Sequence, residues 1–177
     1  QHWDMLQWGQ LEQAPADDIQ ALTSPLCVVA MFAKLTFTRY NEPILSKIVN
    51  YLNRLLSSES QADMKSDAIT THVVAYLDVV SAMYEGQEGK LNKVVNKVEL
   101  IPVLLVILQK QSIIKDAVLI SSYALLGHVS KHNSEDIHQH LDEVLNSVSQ
   151  NINNSSDNIR SNALWCIVQI VKTSDKK

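Results

Sequence analysis

Apolar residues recur every three or four positions along nearly the whole chain, and polar punctuation cuts the pattern into helix-sized lengths. Gln1 to Leu6 reads as the tail of an amphipathic helix, and a Gln-, Gly- and Pro-bearing loop follows to about Ala16. A helical pattern then runs from about Asp17 to Thr38, with Asp17 and Asp18 suited to the positive end of the helix dipole. Pro25 lies inside it and predicts either a kink or a fresh start near Ser24, because proline removes a backbone donor and clashes one turn back. Asn41 as cap and Pro43 in the first turn open the next helix, whose stripe is Ile44, Ile48, Leu52, Leu55 and Leu56 and whose end falls near Ser57. After a polar loop from Ser58 to Lys65, a helix to about Glu85 presents Val73, Val74, Leu77, Val80, Ser81 and Tyr84 inward, with Gly86 as its stop. A helix from about Lys90 to Gln109 is expected to break near Pro102, and a turn through Gln111 leads to a helix from about Ile113 to Lys131. Ser134 is the expected cap of a helix to about Asn151, and Ser155 to Asp157 open the last helix.

Two of these stretches are copies of each other. At an offset of 41 residues, Leu100, Val103, Leu104 and Ile107 fall on Leu141, Val144, Leu145 and Val148, and Asp116, Val118, Leu126 and Val129 fall on Asp157, Ile159, Ile167 and Ile170. Lys131 meets Lys172, Ala124 meets Trp165 and His128 meets Gln169. A period near 40 in helical sequence marks a HEAT or armadillo solenoid, in which each helix pair buries its apolar face only against its neighbours. Leu100-Ile101-Pro102 fits the first helix of the HEAT pattern, and Asp157-Asn158-Ile159-Arg160 fits the opening of the second. The expected fold is an all-α HEAT-repeat solenoid of about three and a half repeats, spanning 1–177 as one segment: a partial repeat at 1–39, then 40–86, 90–132 and 134–173. Neither end offers a convincing polar capping repeat, so the chain reads as a piece of a longer superhelix.

Composition supports helices and narrows the chemistry. The 177 residues are 46% hydrophobic with only four Gly and four Pro, which excludes a disordered segment and leaves no expected strand. A net charge of −4 without a Lys/Arg run argues against nucleic acid and for a basic partner. Cys27 and Cys166 sit in apolar helical patterns and read as buried free thiols of a reducing compartment. No signal peptide or membrane span is apparent, and the sequons at Asn153 and Asn154 would matter only in a secreted protein. His128 and His132 share a helix face, but His-Val-Ser-Lys-His lacks the glutamate of a zinc hydrolase, and no metal or other cofactor is expected. With no phosphate loop or nucleophile elbow, an enzyme is not expected either.

Five short stretches carry more than a generic repeat. His2-Trp3-Asp4-Met5-Leu6, then Tyr40-Asn41-Glu42-Pro43 with Leu77-Asp78-Val79-Val80-Ser81-Ala82-Met83-Tyr84-Glu85-Gly86, then Ser121-Ser122-Tyr123-Ala124-Leu125-Leu126-Gly127 with Asn162-Ala163-Leu164-Trp165, lie in the order and spacing of one family. They resemble the transportin (karyopherin-β2) nuclear import receptors of the importin-β superfamily, over nearly the whole chain. The resemblance implies part of the cargo-binding C-terminal arch of a divergent, fungal-type member. Second helices would line the concave face and receive a disordered nuclear localisation signal, basic and hydrophobic, ending in proline-tyrosine. Such cargo would include RNA-binding proteins. The complete receptor would engage Ran GTPase and nucleoporins and shuttle between cytoplasm and nucleus, without touching nucleic acid or membrane itself.

By the same resemblance, Trp165 matches a tryptophan that packs on the upstream part of the signal, and Asp78 and Glu85 match acidic positions facing cargo. The family's pattern is not complete: His128 stands at an acidic position, its repeat equivalent is Gln169, and another family glutamate falls near Ser24. The proline-tyrosine pocket belongs mostly to repeats preceding these. Read from the residues alone, Trp165 is an inter-repeat core side chain, Asp78 and Glu85 are a solvated face, and Asp116 and Asp157 cap second helices. Glu85 at a helix C-terminus is nonetheless poorly placed for an anion, which a cationic ligand would relieve. The rival function is a HEAT scaffold for folded partners, since fold alone does not give function.

Overall fold

The computed structural model describes residues 11, 13–33, 38–57, 63–87, 91, 98–132 and 134–174. Among them are eight α-helices and no strand: α1 (Ala16–Phe32), α2 (Asn41–Ser57), α3 (Asp67–Gln87), α4 (Leu100–Gln109), α5 (Asp116–His132), α6 (Ser134–Gln139), α7 (Leu141–Ser149) and α8 (Asp157–Ser174). Helices α1, α3, α5 and α8 stack side by side in that order, while α2, α4 and α7 form a second layer across them. The protein is an all-α helical-repeat solenoid.

This stacking explains burial that one amphipathic stripe would not. Helix α3 has a neighbour on each side and the second layer behind it, so only Asp67, Ala68, Asp78 and Glu85 of its residues remain exposed. Helix α2 needs only one covered face, and its Ile44, Ile48 and Leu52 are buried, with Leu55 and Leu56 half-buried. The shared core includes Leu77, Leu100, Leu104, Leu126 and Val148, each essentially inaccessible to water. Burying such a side chain contributes about 1.5–3 kcal/mol, so each helix pair is stabilised mainly by its neighbours.

Several boundaries differ from the sequence expectations, for identifiable reasons. Helix α1 is continuous through Pro25 with no start at Ser24, whose Oγ instead donates to the Gln20 carbonyl at 2.7 Å. It ends at Phe32, and Thr38 belongs to a 3₁₀ turn, Thr38–Tyr40. Gly86 does not stop α3, which runs through it to Gln87. The break expected near Pro102 lies before it, at Glu99, whose φ of 53° and ψ of 42° are left-handed. Pro102 occupies the first turn of α4, where a missing N–H leaves no helical bond unmade.

The long helix expected from Ser134 to Asn151 is divided at His140, with φ −122° and ψ 20°. Glu99 and His140 are equivalent in the 41-residue repeat, so both copies restart a helix at the matching leucine, Leu100 or Leu141. The interruption is therefore a property of the repeat and not of the proline, which only one copy has. Helix α5 starts at Asp116, after a 3₁₀ turn, Gln111–Ile113. Asp116 and Asp157 occupy first helical positions, and Asp157 pairs with Arg160 one turn on, so neither makes the expected cap bond among the described residues. Ser66 does cap: its Oγ accepts from the Ile69 N–H at 3.2 Å. The Gln1 to Leu6 stub and the Ser134 side chain lie outside the described residues.

Polar bonds fix the stagger between the last two repeats. Asn151 Nδ2, in the turn after α7, donates to the Gln111 side chain at 2.9 Å and to the Tyr123 hydroxyl at 2.8 Å. Tyr123 in turn donates to the Ser147 carbonyl at 3.1 Å. Asn154 donates to Asn151 Oδ1 at 2.8 Å and accepts from the Ser156 N–H at 2.9 Å, opening α8. Tyr123 and Asn151 are buried, so each bond also avoids the penalty of an unsatisfied interior group.

Candidate functional site

One line along α3 runs through Asp67, Thr71, Val74, Asp78, Ser81 and Glu85 in alternating steps of four and three residues, with Asp67, Asp78 and Glu85 exposed and Thr71, Val74 and Ser81 half-buried between them. Its last two acidic members both reach α5. Ser121 Oγ donates to Asp78 Oδ1 at 3.2 Å. Glu85 Oε1 accepts from Lys131 Nζ at 3.3 Å, while Oε2 stands 3.0 Å from His128 Nδ1. One step further, the His128 ring meets Trp165 of α8 edge-on, with centroids 5.0 Å apart at 65°. Glu85, His128 and Trp165 thus form a ribbon across three successive helices of one layer, with Asp78 two turns along α3.

Trp165 is half-buried, and its seat is made by Gly127. A Cβ on that residue would fall among Cζ3 and Cε3 of the indole and within 2.9 Å of Cη2, so only glycine lets the ring lie against α5. The sequence reading did not identify Gly127 as part of the site. An isolated glycine within a buried helical pattern was the available signal. Gln169, one turn beyond Trp165, is half-buried, and its backbone carbonyl accepts from Thr173. Ser24, on α1, is exposed and turned onto its own helix.

Electrostatics differ along the ribbon. Packing between α1 and α5 pushes the Asp78 carboxyl above its usual range by desolvation, against the lowering effect of Ser121, even though part of the side chain meets solvent. The half-buried Cys27 thiol on α1 is pushed up to about 11, first by burial and then by the Asp78 carboxylate. Cys166 is buried and free, pushed up to about 12 by desolvation. Desolvation holds the His128 imidazole below its ordinary value, outweighing the upward pull of Glu85, so at neutral pH it is an uncharged ring. The cation at Glu85 is therefore Lys131, which sequence reasoning missed because it comes from the next repeat. That lysine already relieves the anion at the end of α3.

Among the described residues, no three His, Cys, Asp or Glu side chains are grouped to hold a metal ion, and no helix is long and apolar enough to cross a membrane. Helices stacked in this way define the class of helical-repeat solenoid proteins. Within that class, the chain is similar to human Transportin-1, with 24% identity over 167 residues, and to mouse Transportin-1, with 23% identity over the same length. Both alignments cover 92% of this chain but 18% of the relative, so the chain spans less than a fifth of the length of these proteins. The likeness supports an importin-β-like relationship. No protein-family model matches the chain, and no solved structure does.

Proposed function

We propose that this chain is a cargo-binding segment of a nuclear import receptor. The face made by the second helices α1, α3, α5 and α8 is the concave one, and it receives an extended basic and hydrophobic signal of the proline-tyrosine type. The observation that carries this reading is the ribbon of Glu85, His128 and Trp165, in a chain similar to Transportin-1 over 92% of its length. Trp165 supplies the apolar platform, Asp78 and Glu85 the acidic positions, and His128 and Gln169 neutral polar contacts beside them. Repeats 40–86, 90–132 and 134–173, after a partial one at 1–39, are the stacking units. Binding is noncatalytic. In the full-length receptor Ran GTPase and nucleoporins act elsewhere on the superhelix, and the whole shuttles between cytoplasm and nucleus.

Fluorescence anisotropy with a labelled disordered peptide, basic upstream and ending in proline-tyrosine, tests the proposal. Saturable binding that weakens with salt is expected. Binding indistinguishable from a scrambled, charge-free peptide would overturn it.

A further inference from the structure

Glu85 already holds a cation of its own chain. Its carboxylate and Lys131 Nζ are 3.3 Å apart, and both side chains are 43% exposed, so the pair lies at the surface where an incoming ligand meets it. His128, on the other carboxylate oxygen, is uncharged at neutral pH and does not compete electrostatically. A lysine or arginine of a bound peptide reaching Glu85 would stand beside the Lys131 ammonium and be repelled by it, or would have to displace it.

We infer that Lys131 is a specificity-determining residue that occupies the Glu85 carboxylate as an internal rival of the ligand's cation, biasing the ribbon toward segments that meet Trp165 with apolar side chains. The inference rests on the proposed import function and deepens it. Asp78 does not compensate, because its carboxylate accepts from Ser121 and is partly desolvated between helices. The helix that carries the rival cation also carries the seat of the tryptophan, so α5 lowers the attraction for charge while supporting the attraction for apolar groups.

The test compares two labelled peptides on the full chain, one basic and one with its lysines and arginines replaced by glutamine, at two salt concentrations. Lys131→Gln is expected to tighten the basic peptide about two- to fivefold, the scale of one exposed ion pair. It should also steepen that peptide's salt dependence and leave the glutamine peptide unchanged. Lys131→Arg should restore the original affinity. Equal tightening of both peptides, or no tightening of the basic one, would overturn the inference while leaving the import reading standing. If neither the original chain nor Lys131→Gln binds either peptide, the import reading fails and this inference with it. Helix content by circular dichroism checks that the variants fold.

Discussion

Gly86 and Gly127 are both helical glycines facing a neighbouring helix of the same layer, yet they do opposite things. At Gly86 the space a Cβ would need is taken by backbone: Met31 Cα would be 2.7 Å away, Met31 O 2.8 Å, and Ala30 O closer still. At Gly127 it is taken by the side chain of Trp165. The first glycine lets α1 and α3 approach until their main chains touch. The second leaves room for the Trp165 indole to lie against α5. A missing methyl group in one place makes a joint, and in the other makes a seat.

Gly86→Ala should cause the largest loss, because backbone cannot step aside; overpacking of this kind costs about 3 kcal/mol. A urea midpoint unchanged by this substitution would show that the two crossings do not differ. Next comes Trp165→Ala, expected to weaken the basic proline-tyrosine peptide by about 2 kcal/mol, the value of an aromatic anchor. Its helix content should stay intact, whereas a global loss of helix would make the ring a core residue and erase the distinction.

Gly127→Ala should cost about 1–2 kcal/mol, since the indole can rotate outward. Its sharper readout is fluorescence: with Trp3 and Trp8 replaced by Phe, Trp165 emission should shift red as the ring enters water. An unmoved spectrum would mean that α8 itself gives way.

The smallest effect is titration. His128 has a folded-state value below its ordinary 6.5, so the unfolded chain takes up its proton first as pH falls. Its contribution is complete above about 6.5 and is lost as pH drops through that value toward the folded one. His128→Gln should flatten the fall of the thermal midpoint between pH 7 and 5.5 by about 1–2 °C. An unchanged slope would remove the imidazole from the balance.

The layering was legible because stacking dictates which positions are apolar: Leu104 and Leu126 are buried by helices that the 41-residue period already implied. Helix ends were less legible. Pro25 and Pro102 suggested interruptions, but the first is accommodated on the exposed side of α1 and the second in a first turn, while Glu99 and His140 carry the breaks. Trp165, Asp78, Glu85 and His128 were singled out from a resemblance, and the structure puts them on one layer. Their partners Gly127, Ser121 and Lys131 escaped because a residue's use by another repeat leaves no periodic trace in its own.

The chain of amides through Gln111, Asn151 and Asn154 bears on elasticity. Hydrogen bonds depend on distance and angle, so those meeting at Asn151 and Tyr123 tolerate little shear between α5 and the turn that leads into α8. A shift of one repeat past the other would have to stretch these bonds, so they act as a latch that keeps the pitch of the last two repeats at the Asn151 edge.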